Sequence, residues 1–188
     1  SGLTERVDVS HFRLSLHLFI AFLILTSLVW YYLNFKSDLN KRFFINNSNF
    51  ISIKFFLFLI FFQIIFGALV SGLDAGKIYQ TWPLMNESYF PNDVNFKNYK
   101  DFLDLNDSSV VQFMHRNIAY LIVGVSIFIG FIIKKQNQKK LYRPYIYLVF
   151  FVFTQIVLGI LALITNLHIL VASLHQISSI FLVLTAVN

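Results

Sequence analysis

Apolar residues gather into five long runs, at residues 12–33, 51–72, 111–133, 144–165 and 169–187, with polar stretches between them. At 1.5 Å per residue each run, read as a helix, reaches roughly 30 Å, the thickness of a bilayer's hydrocarbon core. The runs are apolar all round rather than along one stripe, which belongs to helices solvated by lipid. The pattern predicts an all-α, polytopic membrane protein with five transmembrane helices, A to E in chain order.

Composition supports this. The chain is 57% hydrophobic and 13% charged, with a mean hydropathy of +0.67. A soluble domain carries about twice that charged fraction. A net charge of +6 would suggest nucleic acid if the cations sat on a polar domain. They sit in gaps between apolar runs instead, which excludes a nucleic-acid partner and predicts contact with membrane lipid. Cysteine is absent, so thiolate catalysis, disulfides and cysteine-held clusters are excluded within this chain.

The gaps also predict orientation. Lys36, Lys41 and Arg42 face only Asp38 between A and B, and Lys134, Lys135, Lys139, Lys140 and Arg143 face no acid between C and D. The B–C gap is acidic, with Asp74, Glu87, Asp93, Asp101, Asp104 and Asp107 against Lys77, Lys97 and Lys100. Positive-inside reasoning puts the basic gaps in the cytoplasm and the loop at 73–110 outside.

The chain repeats itself. Gln63-Ile-Ile-Phe-Gly67-Ala-Leu69 in helix B matches Gln155-Ile-Val-Leu-Gly159-Ile-Leu161 in helix D. Ser15-Leu16-His17 in helix A matches Ser173-Leu174-His175 in helix E. The unit is a Gln/Gly helix going out, a loop, and a histidine helix returning. B–C and D–E are complete units, whereas A is a returning helix without its partner. Ser1-Gly2-Leu3 also matches Ser71-Gly72-Leu73. The expectation is therefore the C-terminal part of a longer protein, in which residues 1–33 hold a returning helix without its partner and 51–188 hold the two complete units. The polar start, Ser1 to Arg13, lacks both an initiator Met and the form of a signal peptide.

His17, His115 and His175 fall at one depth, about one to one and a half turns inside the outer end of their helices. Ionisable groups in a membrane span are costly and point to function. A single one reads as a hydrogen bond to a neighbouring helix; three in a repeat read as ligands. Neutral imidazole suits zinc, copper or haem iron. Zinc wants three or four converging ligands, usually with carboxylate or thiolate help, and the apolar runs contain no Asp, Glu or Cys. Two histidines facing across a bundle match the axial positions of haem, placing their nitrogens roughly 4 Å apart when it is bound. Small residues follow one turn on, Ala21, Ala119 and Ser178–Ser179, and Gly67 and Gly159 remove bulk from the outgoing helices; close helix packing explains the same residues.

Arg116, beside His115, suits a haem propionate or a snorkelling position at lipid headgroups. His11 and His168 lie at or beyond helix ends and read as interfacial. Tyr79 and Trp82 fit either an aromatic belt or a loop folded back as a lid.

Several motifs together resemble the haem A synthase family: Leu69-Val-Ser-Gly-Leu-Asp-Ala-Gly76, Tyr79-Gln-Thr-Trp-Pro-Leu-Met85, Gln112-Phe-Met-His-Arg116 with Ala119-Tyr120, Leu174-His-Gln176, and Arg6-Val-Asp-Val-Ser10 leading to Arg13-Leu-Ser-Leu-His17. The resemblance spans nearly the whole chain. It implies eight helices in two similar halves, each able to hold haem between two histidines, and oxidation of the C8 methyl of haem O to the formyl of haem A for cytochrome oxidase. On that pattern B to E form an antiparallel four-helix haem-binding bundle in which His115 and His175 ligate haem b. His17 is a ligand of the other half, whose partner histidine and catalytic glutamate lie in helices not present here, so no catalytic residue is assigned and these residues alone are expected to be inactive. Haem O synthase and oxidase assembly factors are implied partners, homo-oligomerisation is left open, and the bacterial inner membrane is expected ahead of the mitochondrial one. The loop cysteine pair of some members has no counterpart, and Gln80 and Asn86 depart from the loop motif.

Two other classes compete. A bis-histidine b-type cytochrome for transmembrane electron transfer fits the composition and the histidine spacing; the loop motifs favour the synthase. A transporter or channel would need charged residues deep inside the helices, and the runs hold only Arg13, Lys54 and Arg116, each near one end.

Overall fold

The computed structural model describes residues 10–36, 48–94 and 99–187. Most of the Arg6–Ser10 motif, the Ser1-Gly2-Leu3 match, and Lys41 and Arg42 lie outside the described residues. The described residues form six α-helices: α1 (His11–Lys36), α2 (Ser48–Gly72), α3 (Tyr99–Phe102), α4 (Ser108–Lys135), α5 (Tyr142–Ile164) and α6 (Ile169–Val187). All but α3 are long and apolar enough to cross a membrane, and they correspond to runs A to E. Among the described residues there is no strand, only an isolated bridge between Met85 and Ser88.

Local chemistry sets the helix ends. The carboxylate of Asp107 caps α4, accepting from the backbone N–H of Ser109 at 2.8 Å and Val110 at 3.1 Å, so α4 starts three residues before its apolar run. Pro144 falls within the first turn of α5, where a missing N–H leaves no hydrogen bond unmade. At the C-terminus of α5, Asn166 and Leu167 take left-handed conformations, φ 54° and 55°. That lets the Leu167 N–H return to the Ala162 carbonyl at 2.8 Å, closing the helix and reversing the chain within a few residues.

Helix α1 packs as closely on α2 as the two antiparallel pairs, α2 with α4 and α5 with α6, pack within themselves. Lighter contacts of α4 with α5 and α2 with α6 close the four into a bundle, with α4 and α6 at opposite corners. Helix α1 lies against α2 and touches α6; Ser15 donates to the Ile65 carbonyl at 3.1 Å, and Gly72 lets the start of α1 approach the end of α2 at His11. Phe56, Leu59, Ile60, Ile64, Val111, Ile118, Leu182 and Val183 fill the interior. Outward faces carry exposed Leu28, Phe58, Phe131 and Phe153, the surface that lipid solvates. Lipid is as apolar as these side chains, so packing and interhelical hydrogen bonds hold the bundle rather than burial from water.

The loop after α2 and the α5–α6 turn meet at one end of the bundle. The Gln80 amide donates to Asn166 Oδ1 at 2.6 Å. Gly76 packs so tightly on Leu167 that a Cβ there would lie 2.9 Å from its side chain.

Candidate functional site

The three helical histidines sit six residues after His11, seven after Ser108 and six after Ile169, so they do share a depth. The bundle treats them differently. His115 on α4 and His175 on α6 are partly buried and close enough to interact electrostatically across the diagonal. His17 is exposed on α1 and makes no hydrogen bond among the described residues.

Each ring of the facing pair rests over the glycine of its outgoing helix. A Cβ at Gly67 would lie 3.2 Å from His115 Cε1, and one at Gly159 would lie 3.2 Å from His175 Cε1. The glycines thus leave room for an imidazole at each helix–helix contact. In both rings Nδ1 is buried without a hydrogen bond, while the same unit's glutamine, Gln63 or Gln155, acts on the histidine. Each Nδ1 lies against its glycine, 3.8 Å from the Cβ position at Gly67 and 3.6 Å from that at Gly159, so Nε2 is the nitrogen left for a ligand. The described residues gather no group of three or more His, Asp or Glu side chains suited to a metal ion. A flat ligand with two axial positions fits this donor set better than an ion wanting three or four ligands.

The glutamines were visible in the repeat without a role. Each stands four residues before its glycine, hence on the same helix face. The Gln63 amide lies 3.3 Å from Nε2 of His115. The Gln155 amide instead donates to the His175 carbonyl at 2.9 Å and to Ser178 Oγ at 2.5 Å, bracing α6 at its ligand.

Residues 73–94 form a lid on the start of α4. Tyr79 is buried in a small core with Met85 and Phe113, whereas Trp82 stays exposed. The Tyr79 carbonyl accepts from the Gln112 amide at 2.9 Å and from the Arg116 guanidinium at 2.8 Å, and Arg116 also reaches the Leu84 carbonyl at 3.3 Å. Arg116 therefore ties down the lid beside His115. Asp93 completes the clasp, accepting from the Tyr79 hydroxyl and from Ser109 Oγ, each at 2.6 Å. Nothing in the sequence pattern pointed to Asp93, because its partners lie 14 and 16 residues away.

Burial, then the Asp93 hydrogen bond and charge, push the Tyr79 phenol above its ordinary range and keep it a donor. Burial alone would raise Asp93, but hydrogen bonds from Ser109 and Tyr79 outweigh it and hold the carboxyl below its ordinary value. With the folded value below the unfolded one, the clasp contributes fully above the ordinary carboxylate range and is lost as pH falls through the folded value. Amide exchange in residues 79–93 is expected to accelerate on acidification below about pH 4, and Asp93→Asn to show fast exchange already at neutral pH. Equal exchange in Asp93→Asn and the parent chain would remove the clasp from the account.

A cavity of about 260 Å³ opens between α1 and α6, lined by Leu18, Ala21, Phe22, Gln176, Ile177 and Ile180. Ala21, one turn beyond His17, therefore faces α6. His11 packs against Gly72 at the start of α1, and His168 is exposed between α5 and α6; both lie at helix ends as expected.

The chain matches the family model described as "Cytochrome oxidase assembly protein" over residues 1–187. It is 45% identical over 185 residues to a protein of Pelagibacter ubique named "Heme A synthase", covering 96% of this chain and 52% of the relative. Proteins of the same name from Flavobacterium johnsoniae and from Wolbachia of Culex pipiens are each 36% identical, over 97% of this chain and 54% and 53% of theirs. The chain spans about half the length of these curated relatives. No solved structure matches it. Matched along almost its whole length, the chain belongs to the cytochrome oxidase assembly protein family that includes the haem A synthases.

Proposed function

We propose that this chain is the haem b-binding half of a haem A synthase, an integral membrane oxidoreductase that converts the C8 methyl of haem O to the formyl of haem A. The facing His115–His175 pair, each ring cradled by a glycine of the same repeat unit, carries the reading; membership of the family supplies the reaction. His115 and His175 would hold the haem iron, their rings seated over Gly67 and Gly159 and α6 braced by Gln155. When bound, the haem supplies one-electron redox chemistry at a fixed depth in the membrane.

The chain's own residues orient and shield. His115 and His175 stand partly buried within the bundle. The interior lowers the local dielectric and excludes water, which favours an apolar macrocycle. Arg116 closes the lid through two backbone carbonyls, and its remaining N–H donors suit a carboxylate such as a propionate. His17 serves a second site completed by residues outside this chain. We place the lid outside the membrane and the α4–α5 connection, with Lys134, Lys135, Lys139 and Lys140, in the cytoplasm of a bacterial cell. Haem O synthase and oxidase assembly factors are the expected neighbours.

Purified membranes from cells expressing residues 1–188 should yield haem b, identified by its pyridine haemochrome, and no haem A. The complete reading frame containing this chain should restore haem A to a host deficient in it. Haem O accumulating without haem A in that host would overturn the synthase reading, and haem A made by residues 1–188 alone would overturn the division between halves.

A further inference from the structure

The two repeat units are alike in sequence but not at their histidines. In the α5–α6 unit, Gln155 is engaged by backbone and Ser178, and Nε2 of His175 carries no hydrogen bond among the described residues. In the α2–α4 unit, the Gln63 carboxamide stands on Nε2 of His115 at 3.3 Å, and Gln63 Oε1 is buried without a partner. A carboxamide can donate through its NH₂ or accept through its oxygen, so it satisfies Nε2 in either tautomer of the ring. It thus occupies the nitrogen that remains for a metal, since Nδ1 is buried without a partner 3.8 Å from the Cβ position at Gly67.

We propose that Gln63 makes His115 the exchangeable axial ligand of the haem, with His175 the fixed one. This rests on the haem-binding reading above. Iron bound by both imidazoles displaces Gln63 from Nε2 and leaves its carboxamide without that partner in a dry interior. When the iron–His115 bond breaks, Gln63 recaptures the freed nitrogen, so the open form is stabilised by one hydrogen bond that the α5–α6 unit does not provide. An outside ligand such as carbon monoxide then forms its iron–carbon bond as the iron–His115 bond breaks, with no electron transferred. Gln63 is a positioning residue here, acting through His115 and not on the iron.

The test is carbon monoxide binding to the dithionite-reduced, haem-loaded protein, compared among the parent chain, Gln63→Met and Gln63→Leu. Methionine keeps the length of glutamine and removes its hydrogen-bonding end. Binding is expected to slow by about fivefold or more in both variants, the worth of one ordinary net hydrogen bond, with the low-spin spectrum before addition unchanged. Rates within about twofold of the parent would overturn the proposal. So would loss of the low-spin spectrum in both variants, since Gln63 would then be needed to hold the haem rather than competing with it. Absence of that spectrum in the parent chain itself would instead sink the underlying haem assignment.

Discussion

Replacing His115 or His175 with alanine is expected to abolish the low-spin, bis-imidazole absorption of the haem-loaded protein, while His17→Ala leaves it largely intact. All three side chains lie at one depth in helices of similar composition, so a general effect of deleting a membrane histidine would act on all three. The difference comes from placement. His115 and His175 sit partly buried on helices at opposite corners of the bundle, and each is supported by a glycine that leaves room for its ring. His17 is exposed on α1 outside that bundle. Loss of one axial ligand converts six-coordinate iron to five-coordinate, a change of spin state that absorption reports directly. A spectrum abolished by His17→Ala would move the haem to α1 and refute the α4–α6 pairing.

Filling the glycine cradles should be nearly as damaging. Alanine at Gly67 or Gly159 places a Cβ 3.2 Å from the imidazole Cε1, close enough that the ring must yield by a few tenths of an ångström. Valine adds two methyls at the same point and leaves the ring no place over the helix. Yet glycine inside a helix is disfavoured relative to alanine by roughly 1 kcal/mol, so alanine taken alone strengthens the helix. The account therefore expects a folded protein that loses haem faster: several-fold in Gly67→Ala and Gly159→Ala, and more than about tenfold in the valine variants. Transfer of haem to apomyoglobin measures the rate. At Gly124 an added Cβ would meet no atom within 4 Å. That position provides the comparison, since Gly124→Val should leave the rate unchanged. Equal rates in Gly159→Val and Gly124→Val would reduce both glycines to ordinary packing.

Much of this was legible in the chain because a membrane simplifies the code. Five apolar runs became five long helices whose ends moved by no more than three residues, at the start of α4 because Asp107 caps it. The repeat exposed Gly67, Gly159 and the histidines, since spacing within a helix decides which side chains share a face. What stayed hidden depended on contacts between elements far apart in the chain. The Tyr79–Asp93–Ser109 clasp, the commitment of Arg116 to two loop carbonyls, and the different tasks of Gln63 and Gln155 arise from how the lid and helices meet. Identical residues at equivalent repeat positions carried no sign of that difference. Nor did the sequence separate an exposed histidine on α1 from the two that face inward; helix adjacency made that distinction.

The most direct test of the central claim is an experimental structure of the haem-loaded protein. The account predicts one haem in the α2–α4–α5–α6 bundle, its iron bound on opposite faces by Nε2 of His115 and of His175, with both rings still seated over Gly67 and Gly159. A haem held in the groove between α1 and α6, or iron bound by neither imidazole, would contradict it.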